Sequence, residues 1–478
     1  MTRAAARLWG PIALAVFVAC VWVNQGLSEA DWGPYHDGVA ARPAAHPLDT
    51  ARYPFVYLYK RASDVQLYYE LANLMLGRPA DTGFVTLERG PLPPRFTLAY
   101  PPADGRWHSP YSEILLEYPV AAVPIILAAR VVSPDAHDYG IVFGVLMGLC
   151  LVGAVIVALD AAKAAGDGDG ELRSKAWLAS GLVLAQGAIA VQRLDAATAL
   201  LIALAVRAAV LRRPLAFGAW MGLAAASKLV PALMVPALLA SDARTWRDAR
   251  ALSRFALAFA AALAFGLGPM FLISGHALAD VLAYHAARGL NCESTLGFLL
   301  AVWRLVTGTR VPSLLAFGSF DLQGSGADAL AAVCGPLSVG AMLALGWLLW
   351  RGQPRDDAAA GSPVRVACAA FASLVVLWLT AKVFSTQYMT WGIPVVLAIP
   401  GRSGVRLAWL LLGAMALTQF YVVGHHELVM QGHPLGLLNL GARQALLAVA
   451  GYLAIRSLVV TPDTARWPSS PARGPGST

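Results

Sequence analysis

Apolar runs long enough to cross a membrane recur along this chain, and they limit its fold more than any other feature. About 20 apolar residues in a helix cross the hydrocarbon core of a bilayer, and such runs lie near 139–160, 254–274, 328–350 and 437–457. The composition agrees, because 58% of the 478 residues are hydrophobic and 13% are charged, against about 25% charged residues in soluble domains. We therefore predict an all-α polytopic membrane protein.

The first apolar run lies close to the amino terminus. "LWGPIALAVFVACVWV" follows "MTRAAAR" and resembles a signal peptide. It lacks a convincing small-residue cleavage site, and many further apolar runs follow it. We interpret it as an uncleaved anchor.

The net charge of +8 is carried largely by short loops between the apolar runs. Cytoplasmic loops of membrane proteins are enriched in Lys and Arg, so we predict that the basic loops face the cytoplasm and that the charge does not indicate a nucleic-acid partner. These loops are 161–175, 210–214, 243–254, 350–355 and 401–406. The five cysteines are scattered without paired spacing, which predicts packing residues and no disulfide framework.

The run at 111–132 is ambiguous. Its hydropathy favours a full span, but a crossing there would place the basic 161–175 loop outside. We therefore interpret 111–132 as a juxtamembrane helix on the outer face, and a full span remains the alternative. The remaining runs then give about twelve crossings.

The predicted organisation is a single transmembrane domain over residues 1–460. It has outer segments at about 25–138 and about 275–327, the second with an interfacial helix "TLGFLLAVWRLVTG". Residues 461–478 are rich in Pro and Ser, which is typical of a disordered tail.

Unusual polar and aromatic residues gather at the outer membrane surface under this topology. Ionisable groups within membrane segments cost about 2.5–3.5 kcal/mol and so usually face a cavity or a partner. The candidates are Asp64, Tyr68, Glu117, Tyr118, Arg193, Asp195, Lys228, His285, Arg288, Glu293, Lys382, Gln387 and Tyr388.

Two of the acidic candidates have structural alternatives. Asp64 suits either a helix N-cap or a functional carboxylate beside Tyr68, one helical turn away. In "VQRLDAATALLIALAV", Arg193 and Asp195 form a pair within a short turn, or Asp195 caps the next helix, or both residues serve a site.

The basic candidates suit an anion. Lys228 separates two helices in "GLAAASKLVPALMVPALLA" that are each too short to cross, and Pro231 favours the break. Its ammonium either snorkels to the surface or meets an anionic group such as phosphate. His285 and Arg288 lie one helical turn apart, which suits phosphate oxygens, although a lone histidine is more often structural.

Metal and nucleotide motifs are weak. "GHHELVMQGHP" lacks the HExxH spacing of a zinc site, and "GDGDGE" lacks the length of a calcium loop. We predict no cofactor and leave a metal requirement open.

Several stretches, in their order along the chain, resemble the GT-C superfamily of integral-membrane glycosyltransferases, particularly the bacterial polyprenyl-phosphate-mannose-dependent mannosyltransferases. They are "SDVQLYYELANLMLG", "EYPVAAVPIILA", "QRLDAATALLIALAV", "AAASKLVPALMVPALL" with "YHAARGLNCESTLGFLL", and "FSTQYMTWGIPVV". The resemblance covers roughly residues 60–400. It implies a GT-C-like bundle of transmembrane helices in the bacterial cytoplasmic (inner) membrane, with juxtamembrane helices and an outward-facing cavity.

The resemblance also implies an activity. A sugar, mannose in the first instance, would pass from a polyprenyl-phosphate donor to an extracytoplasmic glycolipid or glycan acceptor by a single inverting displacement. Asp64 would act as the general base, and Lys228, Arg288 and His285 would bind the donor phosphate. The sugar and acceptor would contact Tyr68, Glu117, Tyr118, Arg193, Asp195, Glu293, Gln387 and Tyr388.

Three alternatives remain open. The donor sugar could be arabinose or aminoarabinose. The chain could be a secondary transporter or a flippase for a lipid-linked sugar, which predicts internal repeats and charges at the membrane midplane. It could also be a noncatalytic relative that acts as a scaffold.

Overall fold

The structure is a computed structural model, and it describes residues 63–80, 106–309, 312–353, 362–424 and 426–459. The described residues are mainly helical, with a small three-stranded sheet. The predicted amino-terminal anchor and the tail at 461–478 lie outside the described residues.

The helices are numbered along the described chain. Those of the first half are α1 (Ser63–Leu76), α2 (Val123–Val132), α3 (Ala136–Ala164), α4 (Asp169–Gln186), α5 (Asp195–Val210), α6 (Pro214–Ser227), α7 (Val235–Ser241), α8 (Ala243–Arg247) and α9 (Ala249–Ile273). Those of the second half are α10 (Ala277–Ala287), α11 (Thr295–Val306), α12 (Ser325–Arg351), α13 (Pro363–Thr380), α14 (Met389–Ala398), α15 (Gly401–Gly424), α16 (His426–Met430) and α17 (Pro434–Val459). Four short 3-10 turns lie at Val120–Ala122, Gly187–Ala190, Val230–Met234 and Thr386–Tyr388.

Five helices in the described part of the chain are long and apolar enough to cross a membrane, namely α3, α9, α12, α13 and α17. The chain is therefore a helical membrane protein. Other apolar helices, such as α6 and α11, are shorter. The count of about twelve crossings stays a prediction.

The predicted helix at 111–132 begins later than expected. The chain forms only α2, of 10 residues, after a 3-10 turn at Val120–Ala122. Pro119 is the physical reason, because the residue before a proline is disfavoured in helical geometry. At about 1.5 Å per residue, α2 spans about half of the hydrocarbon core. It is too short to cross alone, which agrees with the juxtamembrane interpretation.

The predicted break at Lys228 is confirmed. Helix α6 ends at Ser227, and Lys228 adopts an extended conformation with φ −151° and ψ 123°. The chain resumes as a 3-10 turn with Pro231 in its first positions, followed by α7. Since proline favours helix starts and cannot continue a helix interior, the local sequence separates the two short helices. The lysine therefore lies at their junction.

A small antiparallel sheet was not predicted. Its strands are β1 (Leu290–Asn291), β2 (Ser313–Ala316) and β3 (Ser319–Leu322), in the order β1-β3-β2. The all-α prediction is wrong in this detail, because strands of two to four residues are too short to show alternating hydrophobicity. The sheet fixes the chain just after α10.

The basic loop predicted at 161–175 is shorter than expected. Helix α3 continues to Ala164 and α4 starts at Asp169, so only four residues connect them. Lys175 lies within α4 and is fully buried. Alanines throughout "AAKAA" favour helix, and they extend α3 past its hydrophobic run.

A polar contact fixes α1 on α2. Arg130 is buried, and its Nε donates to Asn73 Oδ1 at 2.6 Å. The guanidinium also lies 4.9 Å from the centre of the Tyr69 ring. Along the same helix, Tyr68 is fully buried. The orientation of α1, which carries Asp64, therefore depends on this contact.

Replacement of Arg130 by methionine is expected to lower the free energy of unfolding by about 1–3 kcal/mol, because the buried Asn73 oxygen would lose its donor. Thermal and denaturant unfolding in detergent measure the change. The matched control is Arg173→Met, since Arg173 is exposed and should change stability little. Equal stability of the two variants would contradict the assigned role of Arg130.

Candidate functional site

Several helix ends meet at one end of the bundle. Helix α5 packs against α3, α6 and α14. Asp195 is the first residue of α5, Lys228 directly follows α6, and Tyr388 directly precedes α14. The packing therefore brings together three predicted site residues that are far apart in sequence.

Lys228 and Asp195 form a bidentate ion pair. The Nζ of Lys228 lies 2.9 Å from each carboxylate oxygen of Asp195. The side chains are 13% and 2% exposed, respectively. The snorkelling alternative for Lys228 is therefore wrong, because its ammonium points to a buried carboxylate and not to the surface. The alternative pairing of Asp195 with Arg193 is wrong as well.

Aromatic rings surround the same ammonium. Its Nζ lies 4.9 Å from the ring centre of Tyr388, 5.5 Å from that of Trp391 and 5.8 Å from that of Tyr118. Ring faces attract cations at such distances, so the rings favour the charged form of the lysine. We call Asp195, Lys228, Tyr118, Tyr388 and Trp391 the lysine cluster.

Trp391 is the member of the lysine cluster that the sequence analysis missed. It is buried and stacks on Tyr388, with the ring centres 5.0 Å apart. The two residues are three positions apart, where side chains on a helix face each other. That spacing in "YMTW" was the signal that could have found it.

Tyr68 connects α1 to the lysine cluster. Its hydroxyl lies 3.0 Å from the hydroxyl of Tyr118, and the rings meet edge to face at 5.7 Å. Burial raises the pKa of both tyrosines well above the ordinary value. Both hydroxyls therefore keep their protons at neutral pH and act as hydrogen-bonding groups.

Asp64 and Arg193 form a second ion pair at the edge of this region. Asp64 lies in the first turn of α1, and Arg193 lies two residues before the start of α5. The side chains are 20% and 21% exposed, respectively. A helix cap alone would not need the ion pair that Asp64 forms with Arg193. The Asp64 carboxylate is also more exposed than that of Asp195.

Arg288 supplies a second cation near Tyr388. Burial opposes its charge, but the surroundings, Tyr388 foremost, outweigh this and raise the pKa of Arg288. The Nε of its guanidinium is buried and has no hydrogen-bond partner among the described residues. The guanidinium can therefore accept an anionic ligand.

His285 lies beside the backbone of Glu117, with its Nε2 3.2 Å from the Glu117 carbonyl oxygen. Desolvation of the ring, together with the Arg288 cation, lowers the pKa of His285 from 6.5 to about 4 although the residue as a whole is exposed. At neutral pH the ring is therefore uncharged. It can offer a phosphate a hydrogen bond but no positive charge.

If the site binds the donor that the resemblance implies, a polyprenyl-phosphate sugar, binding should show no inflection from His285 between about pH 5 and pH 8. The phosphodiester of a polyprenyl-phosphate sugar does not titrate there either. The variant His285→Gln should bind this donor with an unchanged pH profile, as measured by fluorescence titration in nanodiscs. A loss of affinity above pH 6 in the unsubstituted protein alone would contradict a neutral ring. The pKa of His285 is lower in the folded protein than in the unfolded chain, so the unfolded chain binds the proton first as the pH falls. The free energy of unfolding therefore decreases as the pH drops below about 6.5.

The remaining two candidates, Gln387 and Glu293, lie in different surroundings. Gln387 is half-buried in the same 3-10 turn as Tyr388. Glu293 contacts α17 instead, because its carbonyl oxygen accepts hydrogen bonds from Arg443 at 2.6 Å and Gln444 at 3.1 Å. Its carboxylate lies 3.5 Å from the Arg443 guanidinium. These contacts join Glu293 to α17, and its contact with a sugar stays a prediction.

Among the described residues, no group of three His, Cys, Asp or Glu side chains is placed to hold a metal ion. The weak zinc alternative at 424–434 includes His425, which lies outside the described residues. The metal requirement therefore stays open.

Comparison of the chain with models of protein families, with curated proteins and with solved structures gives no match. The proposal for the function therefore depends on the geometry of the site and on the sequence stretches whose order resembles the GT-C superfamily. The site combines two cations, aromatic rings and an accessible carboxylate. Such groups can bind a phosphate, face a sugar and accept a proton.

Proposed function

We propose that this chain is a membrane glycosyltransferase of the GT-C type. It transfers a sugar, mannose in the first instance, from a polyprenyl-phosphate donor to a glycolipid or glycan acceptor outside the bacterial cytoplasmic membrane. The bundle of about twelve crossings around an outward cavity belongs to the same proposal. The observation that supports it most is the Lys228 ammonium surrounded by three aromatic rings, with its Nζ 4.9 Å from the ring centre of Tyr388, 5.5 Å from that of Trp391 and 5.8 Å from that of Tyr118.

The two ends of α14 support the proposed orientation. Tyr388 and the lysine cluster lie at its start, whereas Ile399, just past its end, contacts Lys175. Lys175 belongs to the basic segment 161–175, which the positive-inside rule assigns to the cytoplasm. This supports a site that faces outward, where a lipid-linked donor can approach from the bilayer.

The cations suit the leaving group. In a single displacement, the acceptor oxygen forms a bond to the anomeric carbon while the bond from that carbon to the phosphate oxygen breaks. The electron pair goes to the phosphate, which changes from a monoanion to a dianion. Lys228 and Arg288 would stabilise this added charge, and such stabilisation is strong in a site shielded from water.

Asp64 would take the proton of the acceptor hydroxyl. Its carboxylate is partly accessible, and Arg193 holds it in place. A single base is sufficient because the reaction needs no covalent intermediate. Tyr68 lies on the same helix as Asp64 and joins it to Tyr118 of the lysine cluster, and the two hydroxyls, 3.0 Å apart, can orient a sugar.

Substitution of Asp64 by asparagine tests the proposal. The assay measures transfer from polyprenyl-phosphate-mannose to membrane lipid extract in liposomes. We expect the rate to fall about 10²–10⁴-fold, as for other general bases, while the variant stays folded. The matched control is Glu113→Gln, since Glu113 is an exposed carboxylate and its substitution should leave transfer unchanged.

Each outcome has a distinct meaning. Equal transfer by Asp64→Asn and the unsubstituted protein would contradict the base assignment and make Glu117 or Asp195 the next candidates. No transfer by the unsubstituted protein from any polyprenyl-phosphate sugar would contradict the enzyme and favour transport of a lipid-linked sugar.

A further inference from the structure

Lys382 does not point to the site, although the sequence analysis placed it among the outer-face candidates. Its Nζ donates to the carbonyl oxygens of Ala286 at 2.8 Å and Arg288 at 2.9 Å. Its own carbonyl oxygen accepts a hydrogen bond from the Asn291 amide at 2.9 Å. The last carbonyls of a helix have no partner within the helix and attract cations. Lys382 therefore holds the end of α10 and the residues that follow.

Asp321 holds the same segment from the other side. Its Oδ2 accepts a hydrogen bond from the Gly289 amide at 2.8 Å, and its Oδ1 accepts one from Ser319 Oγ at 2.6 Å. Asp321 also pairs with Asn291 across β1 and β3. A side chain at position 289 would begin 3.0 Å from the Asp321 Cβ, so the glycine permits this close approach.

Arg288 lies between these two contacts. Lys382 binds its carbonyl oxygen, and Asp321 binds the next amide along the chain. Burial raises the pKa of Asp321, while the Ser319 hydrogen bond and the Arg288 cation oppose that rise. The backbone of Arg288 is thus fixed on both sides, whereas the buried Nε of its guanidinium has no hydrogen-bond partner among the described residues.

We propose that Lys382 and Asp321 are positioning residues for Arg288, and that donor phosphate binding depends on them although neither contacts the phosphate. This inference rests on the proposed function. A backbone fixed on both sides of Arg288 presents the guanidinium in one place before the ligand arrives, which reduces the entropy cost of binding. Lys382 then differs from Lys228, which would contact the phosphate itself.

A double-mutant cycle tests this inference. The ligand is undecaprenyl phosphate at fixed pH in nanodiscs of neutral lipid, and the readout is its dissociation constant. We expect Lys382→Met to weaken binding about tenfold when Arg288 is present and less than about twofold in an Arg288→Gln background. Lys382→Arg should restore at least part of the affinity, because arginine can also donate to both carbonyls.

Asp321→Asn should behave like Lys382→Met in the same cycle. The matched controls are Lys163→Met and Asp328→Asn, because both residues are exposed and neither side chain forms a hydrogen bond with the Arg288 segment. Thermal unfolding of every variant, measured in parallel, separates a loss of binding from a loss of folding. A variant that unfolds is replaced in the cycle by its conservative partner, Lys382→Arg or Asp321→Glu.

The outcomes separate the inference from the proposed function. Equal losses in both Arg288 backgrounds would overturn it, since Lys382 would then act independently of Arg288. Unchanged affinity of Lys382→Met, in a protein that transfers sugar, would overturn it and leave the proposed function intact. Absence of both binding and transfer in the unsubstituted protein would overturn the two together.

Discussion

Replacement of Lys228 by methionine is expected to reduce sugar transfer at least about 100-fold, the scale on which removal of one electrostatic group acts. Lys228 is the cation at the centre of the lysine cluster, with three aromatic rings within 6 Å of its Nζ. Methionine keeps the apolar stem but cannot stabilise the charge on the leaving phosphate. The liposome transfer assay measures the effect.

The same substitution also affects folding, and a second variant separates the two effects. Asp195 is 2% exposed, and removal of one partner from a buried ion pair costs about 3–5 kcal/mol. The double variant Asp195→Asn with Lys228→Met should recover most of this stability but not the transfer. Full transfer by that double variant would contradict the role of the ammonium. The single variant Asp195→Asn then reports the contribution of the carboxylate alone.

Replacement of Lys175 by methionine is expected to lower the free energy of unfolding by about 3–5 kcal/mol, because it leaves a buried aspartate unpaired. The Lys175 and Asp167 side chains are 0% and 1% exposed, respectively. Lys175 Nζ donates to Asp167 and to the Ile399 carbonyl oxygen, and Asp167 accepts from the Gly401 amide at 2.6 Å. The pair therefore joins the α3–α4 connection to the turn between α14 and α15.

Activity distinguishes this pair from the one at the site. Ile399 and Tyr388 flank opposite ends of α14, about 16.5 Å apart at 1.5 Å per residue. Transfer per folded molecule of Lys175→Met should therefore be unchanged, while its unfolding temperature in detergent falls. The double variant Asp167→Asn with Lys175→Met should recover part of the stability. A large fall in transfer at full stability would show that this pair acts on the site.

Much of the helical architecture could be predicted from the sequence. The long apolar runs near 139–160, 254–274 and 328–350 correspond to α3, α9 and α12. The break at Lys228 was predictable too, because proline acts on its own neighbourhood. The small sheet and the late start of α2 were not predicted, since short strands and a single proline leave weak patterns.

The candidate site was predicted as a set of residues and not as a set of contacts. Residue type and position near the ends of apolar runs selected Asp64, Asp195, Lys228 and Arg288, because charge is costly within a membrane wherever it occurs. That argument gives no partner for any of them. It also missed Trp391, which resembles an ordinary core residue in the sequence.

The sequence by itself determined that this chain is a helical membrane protein with charges retained at helix ends, because hydrophobicity and proline act locally along the chain. Only the tertiary structure decided that Lys228 pairs with Asp195, that Asp64 pairs with Arg193 and that Lys382 holds the backbone of Arg288. Each of these contacts joins segments far apart in sequence. Which segments contact each other depends on how all the helices of the bundle pack together, and the local sequence does not specify this packing.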